Sequence, residues 1–184
     1  MSAADMVSAP RIETDRLVLR LHRDEDTDGF AEMMGDPEVV SFLGTTPLIR
    51  QEAWRRMATA AGQWVLRGYG PMAVEEKATG RFIGQVGPLK PEGWPGLEVG
   101  WVLARRAWGK GYAAEAARAA AGWAFQTQAV DRVISLIAPG NTRSQAVARR
   151  IGETHDGEVF QHWSAGPLEV WAIARSAFEA ARVG

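Results

Sequence analysis

The segment Trp108-Gly109-Lys110-Gly111-Tyr112-Ala113-Ala114 is the most informative part of the chain, because it sets two glycines between a predicted strand and an alanine-rich helix. Glycine tolerates left-handed backbone conformations, so successive N–H groups here can converge on one point. The N-terminus of the helix adds a partial positive charge, and Arg105, Arg106 and Lys110 add cationic side chains. These features predict a polyphosphate site; a tight turn that simply starts a helix is the alternative interpretation.

The same glycines form a Gly-x-Gly-x-x-Ala pattern, which is a weak match to the dinucleotide-binding fingerprint. They begin six residues after Leu103, where the preceding strand ends, rather than directly after it. Asp131 lies at about the right separation to bind a ribose, but it precedes the next strand instead of ending it. A dinucleotide-dependent oxidoreductase is therefore disfavoured, and the chain contains no P-loop motif.

The residues around this segment predict strands and helices in an order typical of an α+β protein with a mixed sheet and helices on both sides. Seven strands are expected, at residues 16–22, 72–76, 81–86, 97–103, 132–138, 159–163 and 168–174. Helices or helical turns are expected within 24–35, 38–43, 47–67, 111–125 and 141–151, and a short helix in the tail.

The composition describes an ordinary globular protein of 184 residues, with 46% hydrophobic and 23% charged residues, and one domain over 1–184 is expected. The net charge of −1 gives no electrostatic reason to expect nucleic acid or a membrane surface as a partner. The chain has no cysteine, which excludes disulfides and thiolate chemistry. Neither a membrane span nor a signal peptide is recognisable, so a cytoplasmic location is expected.

Residues 108–113 are similar to the acyl-CoA signature of the GNAT acetyltransferases, Gln/Arg-x-x-Gly-x-Gly/Ala, which lies between the fourth strand and third helix of that family. A second register, 106–111, also fits. The register at 108–113 is preferred because it sets Gly111 eight residues after Leu103, the interval usual in the family. It places Trp108 where the family has glutamine or arginine.

The resemblance extends over residues 12–175, with residues 1–11 expected to be flexible, and it is strongest to the ribosomal-protein N-terminal alanine/serine acetyltransferases. The stretches that carry it are Thr14-Asp-Arg-Leu-Val-Leu-Arg20, Asp26, Asp36-Pro-Glu38, Phe42-Leu-Gly44, Phe82-Ile-Gly84, Glu98-Val-Gly-Trp101, and Asn141-x-x-Ser144 with Gly152. This likeness implies the GNAT fold: an α+β protein with a mixed, largely antiparallel seven-stranded sheet, splayed between strands 4 and 5.

By the same resemblance, acetyl-CoA is the acyl donor. The backbone of Trp101, Val102 and Leu103 would pair with the pantetheine arm, and Asn141 would contact the far end of the cofactor. The pyrophosphate would bind at the segment that Trp108 opens, on the amides of Gly109, Lys110, Gly111, Tyr112, Ala113 and Ala114. The amine would enter from the opposite face, bordered by residues 35–50 and 87–96.

Three residues are candidates for acid–base chemistry. Ser144 matches a serine that the ribosomal branch carries near the sulfur, while Ala148 stands where many GNAT enzymes carry a tyrosine acid; a simple first-turn serine is the alternative. Glu98, between apolar neighbours, is a candidate base with a raised pKa, unless it points outward. His162 is a second candidate base, unless it is a surface histidine. The other histidines have no partners at ligand spacing, so no metal is expected.

The sequence therefore predicts an N-acetyltransferase that moves an acetyl group from acetyl-CoA to a primary amine by direct attack in a ternary complex. The acceptor is expected to be a protein N-terminal serine or alanine, or a small amine. A GNAT-fold domain that holds acyl-CoA without turnover is the alternative. A monomer and a homodimer are both compatible with the sequence.

Overall fold

The computed structural model describes residues 9–183, so the part of the predicted flexible segment at 1–8 lies outside the described residues. The strands are β1 (Ile12–Glu13), β2 (Leu17–Arg20), β3 (Met72–Glu76), β4 (Arg81–Leu89), β5 (Glu98–Leu103), β6 (Arg132–Ile137), β7 (Thr154–His162) and β8 (Gly166–Ala174). The helices are α1 (Thr27–Gly35), α2 (Pro37–Val40), α3 (Arg50–Arg67), α4 (Tyr112–Thr127), α5 (Thr142–Ile151) and α6 (Arg175–Val183).

All eight strands form one sheet in the order β1-β2-β3-β4-β5-β6-β8-β7. Neighbouring strands are antiparallel except β5 and β6, which are parallel. The predicted α+β class and the mixed, mostly antiparallel sheet are confirmed. The sheet has one strand more than the seven predicted. The additional strand, β1, has two residues, too few to show the alternation by which a strand is predicted from sequence.

Of the element boundaries that differ from the prediction, two have a clear physical reason. Helix α3 begins at Arg50 rather than near Pro47, because the Glu52 carboxylate accepts a hydrogen bond from the Ile49 backbone N–H and so caps the first turn. Strand β7 begins five residues earlier than predicted, at Thr154, and its pairing with β8 is irregular between His155 and Val159. That irregularity hides the strand from a search for strict alternation.

Helices cover both faces of the sheet. Helices α1 and α3 pack together on one face, where Phe30, Met33 and Met57 form a core with Phe82 of β4. On the other face α4 lies close to the sheet because the residues it buries there are mostly alanines. Among residues 9–183, no helix is both long enough and apolar enough to cross a bilayer.

The sheet opens between β5 and β6. These are the fourth and fifth of the seven predicted strands, between which the opening was expected. These strands pair at a single position, Glu98 with Ile134. One residue further along, the Ser135 hydroxyl lies 2.9 Å from the Val99 carbonyl oxygen and donates to it, so a side chain replaces the backbone ladder. Beyond this point the strands diverge, and the outer edge of β5 borders a cleft.

Candidate active site

A cavity of about 320 Å³ occupies the cleft between the end of β5 and the N-terminal halves of α4 and α5. It is lined by every residue expected to bind the cofactor except Lys110, and Ser144 lines it as well. The fold therefore brings together residues that lie some 40 positions apart in the chain, at 101–103, 108–114 and 141–144.

The glycines of the segment adopt the conformation that only glycine tolerates easily. Gly109 has φ 74° and Gly111 has φ 79°, both in the left-handed region. Helix α4 begins directly afterwards at Tyr112, and no side chain caps it. The N–H groups of its first turn are thus left for a ligand at the cavity wall, where Ala113 and Ala114 also lie.

Trp108 ties the segment back to β5. Its indole N–H donates to the Leu103 carbonyl oxygen over 2.8 Å, and the Arg143 guanidinium lies 4.2 Å from the centre of its ring. The residue that departs from the family signature thus holds the segment in place and supports a cation. Sequence reasoning missed Arg143, whose one available signal was its place inside the Asn141-x-x-Ser144 pattern.

The expectation that Arg105 and Arg106 supply charge to a phosphate is wrong. Arg105 pairs with Asp36 at 2.9 Å and with Glu38 at 2.7 Å, and Arg106 pairs with Glu32 at 2.9 Å. Neither arginine lines the cavity. Both guanidinium groups instead fasten the start of the segment to α1 and α2, and the cations at the cavity wall are Arg143 and Arg150.

Lys110 and Tyr112 contribute to the segment through their backbones. The Lys110 carbonyl oxygen accepts from the Arg16 guanidinium over 2.9 Å, while its ammonium group lies 3.9 Å from Glu76. The Tyr112 hydroxyl donates to the same Glu76 carboxylate over 2.7 Å. Both side chains are thus engaged by Glu76, which leaves the backbone amides as their possible contacts with a ligand.

Ser144 and Asn141 lie at the start of α5, beside the cavity. The Asn141 side-chain oxygen accepts from the Ser144 backbone N–H over 3.1 Å, so Asn141 caps the helix. The Trp101 indole N–H lies 3.3 Å from the Ser144 hydroxyl oxygen and donates to it. The Ser144 hydroxyl donates to no group among residues 9–183, so its hydrogen can be donated into the cavity.

Glu98 lies on the face of β5 opposite Trp101 and is half-buried. Its carboxylate accepts from the Trp94 indole N–H over 2.5 Å and from the Leu136 backbone N–H across the opening of the sheet. Burial raises the pKa of Glu98 to about 7, although both hydrogen bonds oppose the shift. The carboxyl group can therefore exchange a proton near neutral pH.

His162 is held by the turn that follows β7. Its Nδ1 accepts from the backbone N–H groups of Ala165 over 3.0 Å and Ser164 over 3.2 Å, which sets the ring proton on Nε2. Burial and the charge of Arg56 both lower the pKa of His162. The nitrogen that would accept a proton is thus already engaged, so Glu98 is better placed than His162 to act as a base.

Four aromatic rings that the sequence did not bring together form one surface, here called the aromatic wall. The ring of Trp94 lies 5.6 Å from that of Phe160, 5.4 Å from that of His162 and 5.5 Å from that of Trp163. Trp163 stacks on His162 at 4.0 Å, and 75% of its surface is exposed. Glu98 adjoins the aromatic wall, because its carboxylate accepts a hydrogen bond from Trp94.

Glu153 lies between α5 and β7 and contacts Ser135 of β6, with 1% of its surface exposed. One of its carboxyl oxygens is 3.0 Å from the Ser135 hydroxyl, and the other is buried without a hydrogen-bond partner. Burial, with the nearby charge of Glu98, raises the pKa of Glu153 to about 9. A neutral Glu153 donates to Ser135, which in turn donates to the Val99 carbonyl.

The other two histidines lie apart from the cavity. His22 Nε2 is 2.9 Å from the Gln85 side-chain oxygen, and burial lowers the pKa of His22 to about 4. The ring of His155 packs against Trp171. Within residues 9–183, no three His, Asp or Glu side chains are grouped so that they could hold a metal ion.

Comparison with known proteins gives a consistent picture. Residues 16–154 match the profile of a family described as "Acetyltransferase (GNAT) domain". The uncharacterized protein YkkB of Bacillus subtilis is 33% identical over 171 residues, which are 90% of this chain and 96% of that protein.

Several solved structures share the fold. An acetyltransferase of Agrobacterium tumefaciens superposes with a TM-score of 0.79 at 31% identity, over 91% of this chain and 96% of that one. A proposed ribosomal-protein-serine acetyltransferase of Vibrio cholerae has a TM-score of 0.78 at 21% identity, over 92% and 99%. Spermidine N-acetyltransferase of the same organism, in complex with CoA and spermine, has a TM-score of 0.73 at 15% identity, over 90% and 99%.

Proposed function

The chain belongs to the GNAT acetyltransferase family, and from this premise we propose that it transfers an acetyl group from acetyl-CoA to a primary amine. The observation that carries the proposal is the open edge of β5 beside the glycine segment. One cleft thereby offers a strand edge for an extended chain and a helix N-terminus for phosphates. Acetyl-CoA has both parts, and the cytoplasm that supplies it is the proposed location.

The pantetheine arm is proposed to pair with β5 as an added strand. In an antiparallel sheet the backbone groups of alternate residues point to the same side. Val99 points its carbonyl at β6, so the N–H and C=O of Trp101 and Leu103 also face the cleft. Trp108 already donates to the Leu103 carbonyl, which leaves both backbone groups of Trp101 as the principal partners for the arm's amides.

The pyrophosphate is proposed to lie on the amides of residues 109–114. The first turn of α4 has no side-chain cap, and the helix dipole there favours negative charge. Arg143 and Arg150 line the same cavity and have no ion pair among residues 9–183. These two arginines replace the charges of Arg105 and Arg106, which acidic residues neutralise.

The chemistry is proposed to proceed by direct attack. Glu98, ionised above pH 7, takes a proton from the ammonium group of the acceptor, and the neutral nitrogen attacks the thioester carbon. The new N–C bond forms and the C–S bond breaks. Ser144 donates its hydroxyl hydrogen to the departing thiolate, and the Trp101 indole fixes the hydroxyl orientation. The proton that the attacking nitrogen loses as it becomes an amide returns to the Ser144 oxygen through solvent, and Glu98 releases its proton to solvent, so the products are the amide, the free thiol and one proton.

A fold neighbour crystallised with CoA and spermine supports a ternary complex with an amine. Ala148, at the position where a tyrosine acid is usual in the family, favours the alternative of an acyl-CoA binding domain without turnover. The two functions predict different measurements. Both require acetyl-CoA to bind, but only the enzyme releases free thiol when an amine is added.

The test begins with calorimetric titration of acetyl-CoA into the protein, for which we expect saturable binding. Thiol release is then followed with a panel of amino acids, aromatic amines, polyamines and peptides, and the acetylated product is identified by its mass. Failure to bind acetyl-CoA at millimolar concentration contradicts the proposal. Binding without thiol release from any amine supports the non-catalytic alternative.

A further inference from the structure

The aromatic wall of Trp94, Phe160, His162 and Trp163 has the properties of a binding surface. Its rings meet at angles of 25° to 89°, so they present both faces and edges to a partner. Trp163 leaves 75% of its surface exposed at the outer end. An aromatic surface of this kind binds a flat apolar group by stacking and by removing it from water.

The aromatic wall adjoins Glu98, the proposed base. Trp94 donates to the Glu98 carboxylate over 2.5 Å, so an acceptor whose ring lies against Trp94 can place its amine beside Glu98. Across the wall, the loop that follows α2 contacts the turn between β7 and β8, because Gly44 packs against Ser164 and Ala165. The loop closes one side of the wall and favours a small acceptor over the end of a folded protein.

The charge beside the wall is positive. The side chain of Arg56 on α3 is close enough for its charge to lower the pKa of His162. Arg56 forms no ion pair among residues 9–183. Glu92, two residues before Trp94, lies 3.5 Å from Arg67. Glu98 is the carboxylate that contacts the wall directly, through Trp94.

Building on the proposed N-acetyltransferase activity, we propose that the acceptor is a small aromatic amine that also bears a carboxylate, such as an aromatic α-amino acid. The ring stacks on the wall, the amine lies at Glu98, and the carboxylate pairs with Arg56. A polyamine would bring additional positive charges toward Arg56, so it is disfavoured.

The test compares acceptors that differ in one group. We expect kcat/KM for phenylalanine to exceed that for alanine, which lacks the ring, and that for phenethylamine, which lacks the carboxylate, by about tenfold or more each. Spermidine should be the poorest acceptor. A preference for spermidine, or equal rates for phenylalanine and phenethylamine, would overturn the proposal.

Variants then assign the contacts. Arg56→Gln should raise KM for phenylalanine by about tenfold, with little change in kcat, and leave phenethylamine unaffected. Arg55→Gln, a change of the same kind at the adjacent exposed position, is the matched control. Trp163→Ala should weaken both aromatic acceptors, whereas Leu66→Ala, which removes another exposed apolar side chain, should weaken neither. Equal effects of Arg56→Gln and Arg55→Gln would contradict the role of Arg56.

The outcomes separate this inference from the function on which it rests. If no amine in the panel releases thiol, the N-acetyltransferase proposal fails and the acceptor class fails with it. If amines are acetylated but neither the ring nor the carboxylate matters, only the acceptor class fails. Acetyl-CoA binding by Arg56→Gln, measured by calorimetry, should equal that of the unmodified protein because Arg56 does not line the cofactor cavity.

Discussion

The indole N–H of Trp94, in the loop before β5, donates over 2.5 Å to the carboxylate of Glu98, the first residue of β5. This bond links the aromatic wall to an acid that lies at the opening of the sheet. The bond also stabilises the ionised carboxylate and so lowers the pKa of Glu98. Burial has the opposite and larger effect, and the resulting pKa is about 7. The balance of the two effects leaves Glu98 able to take up a proton at neutral pH.

The first prediction follows from that balance. As the pH rises through about 7, Glu98 loses its proton and becomes a base, so kcat/KM should rise with pH across this range. Glu98→Gln should lower kcat/KM by about 10²-fold or more and abolish this rise. Measuring the pH profile of both proteins checks it, with Glu179→Gln, at an exposed glutamate on α6, as the control. An unchanged profile in Glu98→Gln would exclude Glu98 as the base.

The second prediction concerns the glycine segment. Valine at position 111 cannot adopt φ 79° without strain, so Gly111→Val should shift the backbone and remove acetyl-CoA binding, as measured by calorimetry. Gly80→Val is the matched control, because Gly80 has φ 66° in the turn between β3 and β4 and lies outside the cavity. Both variants should lose similar stability. Loss of binding in both would attribute the effect to strain alone.

A third prediction separates chemistry from cofactor binding. Ser144→Ala removes the hydroxyl that accepts from Trp101, but the backbone N–H that Asn141 caps remains. We expect kcat to fall by about tenfold to 10²-fold while the Kd for acetyl-CoA changes little. Stopped-time thiol assays and calorimetry give the two quantities. Ser176→Ala, an exposed serine on α6, should change neither, and a normal kcat in Ser144→Ala would exclude the proposed acid.

The sequence predicted those features that depend on neighbours along the chain. The strand ending at Leu103, the glycine turn and the start of α4 follow from propensity and backbone freedom within a dozen residues. The opening between β5 and β6 was available only through the family resemblance. The structure adds its cause, since the Ser135 hydroxyl bonds the Val99 carbonyl and the Glu98 carboxylate bonds the Leu136 N–H, so that these two backbone groups do not bond each other.

Features that depend on distant partners escaped prediction. Arg105 was assigned to a phosphate because it adjoins the glycines, yet it pairs with Asp36 and Glu38, almost 70 residues earlier. The aromatic wall joins Trp94 to residues of β7 and its turn, and nothing in either stretch alone indicates the other. Charge pairing and ring packing are settled by the fold, so local patterns carry no signal for them.

The last prediction uses Glu153, which is buried with a pKa of about 9 against 4.5 in an unfolded chain. Between pH 4.5 and pH 9 the folded protein holds this proton and the unfolded chain does not. The contribution of Glu153 to the free energy of unfolding is therefore fully present below pH 4.5 and is lost as the pH rises toward 9. One such group changes the free energy of unfolding by at most about 1.4 kcal/mol per pH unit. Glu153→Gln keeps a neutral side chain of the same shape and removes the titration.

Denaturant unfolding at pH 6 and pH 9 measures this effect. The unmodified protein should lose more stability between the two conditions than Glu153→Gln, and the variant should be the more stable at pH 9. Glu158→Gln, at an exposed position on β7, should follow the unmodified protein. A variant with the same loss as the unmodified protein would mean that Glu153 is ionised in the folded state. The Ser135 hydroxyl would then donate to that carboxylate and leave the Val99 carbonyl without its partner.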